Sequence, residues 1–122
     1  MNDVRPLFQE IKFGPKTSVK RIALNAMECN DADKEGNPTE LTYNRYKKAF
    51  PGGAGVIFME AISVVDESKG RINQLIGTRE NQEPLSKMIK SLREENKDTL
   101  LFIQLTHNGE LGHAEFGRKV CV

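Results

Sequence analysis

The sequence predicts one α/β domain, in which an N-terminal β-hairpin precedes three parallel strands that alternate with two helices. Apolar runs without polar alternation, such as "VIFMEAISV" and "LLFIQL", are typical of strands covered on both faces. Amphipathic segments bounded by capping residues lie between these runs. The loops that follow the first two strands are long and polar, and the loops that precede the next strands are short. This asymmetry favours a (β/α) barrel over the alternative, an open doubly wound sheet.

The first half of the chain contains a turn, a strand and a helix. Gly14 and the proline after it predict the turn of the hairpin, and the first strand of the sheet follows at residues 21–27. The polar stretch "ECNDADKEGNPTE" is a loop that ends in a helix-start pattern. Asn37 suits the N-cap and Glu40 stands three residues after it, so we expect a helix over residues 38–50.

The second half repeats the strand–helix unit. The stretch "PGGAG" ends the first helix, and the second strand is expected at residues 55–63. After a second polar loop, apolar side chains recur at the spacing of an amphipathic helix, namely Leu85, Met88, Ile89 and Leu92. Asn81 and Pro84 open this helix, and the third strand is expected at residues 99–106. Neither a GxGxxG nor a GxxxxGK[ST] phosphate loop follows any strand, which weakens the doubly wound alternative.

Composition excludes several classes of function. The 122 residues suffice for a single domain spanning residues 1–122. Eighteen basic and seventeen acidic residues give a net charge of +1, so we expect no nucleic-acid partner and no membrane surface. No signal peptide or long apolar span is recognisable, and we expect a cytoplasmic protein. Cys29 and Cys121 are far apart, and His107 and His113 lack partners at metal-ligand spacing, so neither a disulfide framework nor a metal site is expected.

Several stretches together resemble the old yellow enzyme family of FMN-dependent NADH:flavin oxidoreductases and ene-reductases. They are "LFQEIKFGPKTSVKRIAL" before the first strand, "NAMEC" at its end, "EGNPTELTYNRY" into the first helix, "GGAGVIFMEAISV" for the second strand and "FIQLTHNG" for the third. The matches run in the same order as in the family and cover nearly the whole chain. No single one of them would be specific alone.

The resemblance implies a fold and a chemistry. The family fold is an eight-stranded (β/α)8 TIM barrel, with a hairpin closing its bottom and FMN lying across its top. In the complete enzyme, hydride passes from NAD(P)H to FMN and then to an activated alkene, the small-molecule substrate. A family barrel is much longer than 122 residues, so the chain resembles only its N-terminal third, an incomplete barrel.

The resemblance also implies a set of cofactor-binding residues. Carried over by position, the residues expected to contact FMN are Asn25, Ala26, Met27, Glu28, Ala61 and Gln104. The carboxamide of Gln104 can offer a donor and an acceptor in one plane to the flavin pyrimidine. The alternative for Gln104 is a core glutamine that hydrogen-bonds neighbouring backbone. The alternative for Ala61 is simple core packing.

Some positions depart from the family pattern. A carboxylate at Glu28 cannot act as the neutral hydrogen-bond partner that many members place there. Cys29 is either an inert thiol or, if the alignment shifts by one residue, the group at that site. Glu110 reverses the charge of the usual arginine after the third strand, and His107 is expected to order that loop. Glu60 is expected to be a buried structural carboxylate paired with a cation.

The chain lacks the segments that bind substrate and the flavin phosphate in the family, so we expect no catalytic residue in it and no detectable turnover by it alone. Its uncovered sheet edges should require the barrel remainder, a partner chain or self-association. Two functions follow as hypotheses. The chain is either the N-terminal segment of an FMN-dependent oxidoreductase, or a non-catalytic, self-associating partial-barrel module that binds little or no flavin.

Overall fold

The computed structural model describes residues 2–112 of the 122-residue chain, so His113 and Cys121 lie outside the described residues. The strands and α-helices are β1 (Ile11–Phe13), β2 (Lys16–Ser18), β3 (Ala23–Leu24), α1 (Glu40–Ala49), β4 (Val56–Ser63), α2 (Gln82–Glu95) and β5 (Leu100–Thr106). Three short 3-10 helices, which the sequence patterns did not predict, lie at Arg5–Phe8, Asp66–Ser68 and Gly109–Leu111. The result is a small α/β domain.

The predicted N-terminal hairpin is confirmed. Strands β1 and β2 pair antiparallel, with Ile11 opposite Ser18 and Phe13 opposite Lys16. Gly14 adopts a φ of 55° in the turn, a conformation that glycine reaches without the steric cost that a side chain imposes.

The main sheet has the predicted order β3-β4-β5, and both of its strand pairs are parallel. Strand β3 is shorter than expected, since the predicted strand over residues 21–27 reduces to Ala23–Leu24. The segment after it leaves the sheet, and the Cys29 N–H donates at 3.0 Å to the Glu60 carboxylate instead of to a strand. Strands β4 and β5 each begin one residue after their predicted starts.

Helix α1 forms as expected but its cap differs. The N-cap is Thr39, whose hydroxyl accepts from the Thr42 N–H, while the Thr42 hydroxyl accepts from the Thr39 N–H. Asn37, the predicted cap, instead accepts from the Asn81 amide at 2.7 Å. Thr39 is favoured because its hydroxyl also donates to the Asp31 carbonyl at 2.6 Å, which ties the cap to the preceding loop.

Helix α2 begins after Asn81 as predicted, although the Asn81 side chain makes no cap hydrogen bond to the helix. Both helices pack on one face of the sheet, as right-handed crossovers require. The buried core combines helix and sheet residues, among them Tyr46, Phe50, Ile57, Met59, Ile62, Met88 and Leu92. We refer to this helix-packed side of the sheet as the covered face.

Within residues 2–112, no helix is long and apolar enough to cross a membrane. The same residues contain no group of three or more histidine, cysteine, aspartate or glutamate side chains that could hold a metal ion.

Candidate functional site

The side chains expected to contact a cofactor lie near the carboxyl ends of the three parallel strands. Asn25, Ala26 and Gln104 line one surface depression together with Phe58 and Phe102. We call the side of the sheet that carries this depression the open face, because no helix of the described chain packs on it. Side chains from two distant parts of the sequence, residues 25–26 and residue 104, therefore meet where the sequence predicted a site.

A register shift in β4 decides which side chain stands opposite Gln104. Phe58 pairs with Phe102, but the pairing then shifts between Met59 and Ala61, so that Ala61 is opposite Gln104. Regular pairing would have placed residue 60 there. The shift therefore presents a methyl group to the open face and directs the Glu60 carboxylate elsewhere.

The floor of the depression is aromatic. The rings of Phe58 and Phe102 stack with centroids 5.3 Å apart and an interplanar angle of 23°. The two residues remain 37% and 42% exposed. Within the described residues, the two rings therefore form a partly hydrated aromatic surface.

Gln104 is exposed, and its amide makes no hydrogen bond to the part of the chain that the structure describes. The expectation that the apolar strands are covered on both faces is wrong for β5, where every residue is half-buried or exposed. The reason is that β5 is an edge strand of the described sheet. Gln104 is therefore not the core glutamine that the alternative interpretation required.

A different glutamine fills that structural role. Gln74 is fully buried in the loop after β4. Its amide nitrogen donates to the Ala61 carbonyl at 2.7 Å, and its amide oxygen accepts from the Gly70 N–H at 2.7 Å. Sequence reasoning missed this residue, since a loop glutamine has no periodicity that marks it as buried.

Glu60 is the buried carboxylate that the sequence predicted, and its side chain is 1% exposed. Its cation is Arg45 of α1, which also forms a bidentate pair with Asp31 at 2.8 and 3.0 Å. The Arg45 guanidinium lies over the Tyr46 ring at 4.4 Å from its centroid. The prediction of a paired structural carboxylate is confirmed.

Burial and ion pairing shift the pKa values of Glu60 and Arg45 in opposite directions. Burial raises the pKa of Glu60, against the Cys29 N–H and Arg45, which favour the carboxylate. Burial alone would lower the pKa of Arg45, but its hydrogen bonds with Asp31, Tyr46 and Glu60 raise it. The guanidinium therefore stays charged at every pH at which the fold can be studied.

Neither Glu28 nor Met27 lines the depression. The Glu28 carboxylate pairs with Arg71 of the next loop at 3.1 Å. Met27 lines a neighbouring depression beside β3 together with Cys29 and Arg45. Burial raises the pKa of the Cys29 thiol, as expected of an inert thiol.

The loop after β5 is ordered by His107, as expected. Its ring nitrogen Nδ1 accepts from the Gly109 N–H at 3.1 Å. Asn108 donates to the Ser68 carbonyl at 2.8 Å and joins this loop to the loop after β4. The edge of the site is thus held by contacts between loops.

Comparison with solved structures identifies the fold. A 2-naphthoyl-CoA reductase in complex with 2-naphthoyl-CoA matches with a TM-score of 0.84 and 23% identity over 93% of this chain. The old yellow enzyme of Trypanosoma cruzi matches with a TM-score of 0.77 and 25% identity over 91% of the chain. An old yellow enzyme homologue from Zymomonas mobilis matches with a TM-score of 0.77 and 25% identity over 90%. The fold is that of part of an old yellow enzyme.

The resemblance predicted from the sequence is thereby confirmed. The chain spans 17%, 29% and 30% of the lengths of these three proteins. No protein-family model and no curated protein matches the sequence. The likeness to old yellow enzymes consequently assigns the fold, while the activity of a complete enzyme is a matter for proposal.

Proposed function

We propose that the chain contributes part of the FMN site of an NAD(P)H-dependent oxidoreductase of the ene-reductase type. The observation that carries the proposal is the exposed amide of Gln104, which makes no hydrogen bond within residues 2–112 and stands opposite Ala61. An exposed amide at the carboxyl end of a parallel strand is positioned for a ligand.

The residues present fit a flavin. The Gln104 oxygen and nitrogen can accept from and donate to the alternating groups of the pyrimidine edge. Ala61 leaves room for a ring to approach the strand backbone, and the Phe58–Phe102 pair supplies an apolar surface beside it. Asn25 and Ala26 line the same depression, whereas Met27 and Glu28, which follow them in the chain, do not.

Hydride transfer from NAD(P)H to an activated alkene is the chemistry that FMN supplies when it is bound. This chain's own part is to bind and orient the ring. Because the Glu28 carboxylate is paired with Arg71, it supplies no neutral donor to the cofactor. In this respect the chain differs from the family pattern.

The proposal includes a covering for the exposed strand β5. Ile103 and Leu105 belong to the covered face but remain exposed at its margin, beside Leu85 and Ile89 of α2. In an incomplete barrel, the next strand–helix unit packs in this apolar groove and along the edge of β5 that no strand within residues 2–112 pairs with. The barrel remainder, a partner chain or a second copy would fill it.

Titration of the isotope-labelled chain with FMN, followed by NMR, tests the cofactor role and suits weak binding. Resonances of Asn25, Ala61 and Gln104 should shift together. Gln104→Ala should weaken FMN binding roughly 5- to 150-fold, because about two neutral hydrogen bonds of ~0.5–1.5 kcal/mol each are lost. Gln9→Ala removes an exposed glutamine from the hairpin end and serves as the matched control. Equal FMN affinities of Gln104→Ala and wild type would contradict the role.

The exposed apolar edge of β5 favours a second function, that of a non-catalytic, self-associating module. Sedimentation and visible absorption of the purified protein separate the two functions. A colourless, stable oligomer whose NMR resonances do not shift when FMN is added would support the non-catalytic module. A yellow protein, or an assembly with a partner chain that reduces an enone, would support the enzyme.

A further inference from the structure

The Glu60 carboxylate joins three parts of the chain beneath the candidate site. Its Oε2 accepts from the Cys29 N–H at 3.0 Å, and its Oε1 contacts the Arg45 guanidinium. The Cys29 amide belongs to residues 25–29, a segment that includes Asn25 and Ala26 of the depression. A buried group on β4 is thus bonded directly to the backbone of the segment after β3.

The register shift in β4 makes this contact possible. At Glu60 the backbone N–H donates to the Tyr46 hydroxyl at 2.8 Å, whereas its neighbours pair with β5. The same irregularity sends the Glu60 carboxylate inward and sets Ala61 opposite Gln104. One backbone feature therefore shapes both sides of the candidate site.

The carboxylate does more than fill space. A charged group that is 1% exposed is costly to bury unless both oxygens are bonded, and an apolar side chain could pack there without that cost. Here one oxygen is bonded to the segment after β3 and the other to α1. Arg45 also binds the carboxylate of Asp31, two residues after this segment, at 2.8 and 3.0 Å.

We propose that Glu60 is a positioning residue of the cofactor site, which holds residues 25–29 at the end of the sheet through the Cys29 amide. This inference rests on the proposed function in assigning FMN as the ligand of that segment. Glu60 itself lies beneath the site and has no contact with the depression that would receive the ring.

The primary test is native-state hydrogen exchange of the ligand-free chain. In wild type, the Cys29 amide should be protected although it lies in no helix or strand. In Glu60→Gln, the single amide oxygen should face the Arg45 guanidinium, because the NH2 group cannot, and the NH2 group is then left facing the Cys29 N–H. The Cys29 amide should therefore exchange roughly 10- to 150-fold faster, the range for losing a hydrogen bond to a charged group. Amides of α2 and β5 should keep their wild-type rates. Glu95→Gln, which removes a surface ion pair with Lys47, is the matched control.

The outcomes separate positioning from a general structural role. Faster exchange of α1, β4 and β5 in the same proportion as Cys29 would mean that Glu60 stabilises the whole fold, and would overturn the inference. An unprotected Cys29 amide in wild type would also overturn the inference. This measurement uses only the wild-type protein, so it does not depend on whether the variant folds.

FMN titration of the same proteins distinguishes failure of this inference from failure of the proposed function. Glu60→Gln should weaken FMN binding about tenfold, with Glu95→Gln unchanged. One outcome is that the Cys29 amide of Glu60→Gln loses protection as expected while the wild-type resonances do not shift with FMN. In that case Glu60 does hold residues 25–29, and the assignment of FMN as their ligand fails. If FMN binds wild type and Glu60→Gln equally, the cofactor assignment stands and positioning is overturned.

Discussion

The two faces of the parallel sheet are built from the same kinds of residue but are used differently. On the covered face, Ile57, Met59 and Ile62 of β4 are almost completely buried beneath the helices. On the open face, Phe58 and Phe102 stack on each other and remain partly in water. Strand residues alternate between the two faces, and both faces carry apolar side chains. The faces differ in burial because helices pack on only one of them within the described chain.

The two glutamines near Ala61 show the same contrast in polar groups. Gln74 is buried, and both ends of its amide are bonded to backbone. Gln104 stands opposite Ala61 with its amide exposed. A buried amide without partners would cost about 1–3 kcal/mol, so only the exposed one can be held ready for a ligand. The structure thus separates a glutamine that serves the fold from one whose amide makes no hydrogen bond to any described residue.

The largest expected effect lies on the covered face. Leu92→Ala removes a fully buried side chain of α2 and should destabilise the protein by about 2–5 kcal/mol, through lost burial and a cavity. Phe102→Ala, the open-face control, should cost about 1 kcal/mol because its ring is already partly hydrated. Urea unfolding at fixed protein concentration measures both, since self-association would make stability concentration-dependent. Equal losses for the two variants would remove the distinction between the faces.

The covered face could largely be predicted from the sequence. The spacing of Leu85, Met88 and Leu92 identified the buried stripe of α2, and apolar runs located β4 and β5. Strand order followed from the alternation of strands and helices. The helix caps were less predictable, because Thr39 and Asn37 are both good N-caps and a contact with Asp31 decides between them.

The candidate site could be predicted only in part. Of the six residues that the family resemblance indicated, Asn25, Ala26 and Gln104 line one depression, whereas Met27, Glu28 and Ala61 are not among its lining residues. The shift at Glu60 could not be foreseen, because the Tyr46 hydroxyl and the Cys29 N–H, not the strand pattern, determine it. The direction of Glu28 depends on Arg71, a loop residue that no periodicity marks.

The next effect separates the two glutamines. Gln74→Ala should destabilise the ligand-free protein by about 1–3 kcal/mol, because the Ala61 carbonyl and the Gly70 N–H lose their partner. Gln104→Ala should change the same free energy of unfolding by less than about 0.5 kcal/mol, as exposed side chains usually do. Thermal and urea unfolding without FMN measure both variants. A loss at Gln104 as large as that at Gln74 would show that Gln104 serves the fold.

The smallest expected effect lies on the open face, where the Phe58 and Phe102 rings should stabilise the fold jointly. The rings of Phe58 and Phe102 are 5.3 Å apart, and such pairs contribute about 0.5–1.5 kcal/mol beyond their burial. Because both rings are partly in water, we expect the lower end of that range. A double-mutant cycle with Phe58→Leu and Phe102→Leu measures this coupling through unfolding free energies. A parallel cycle between Phe102 and the hairpin residue Phe13 is the control, since these residues lie on different sheets and should show no coupling. Equal coupling in the two cycles would mean that the open face is a set of independent side chains, and the preformed floor for a flat ligand would then have no support.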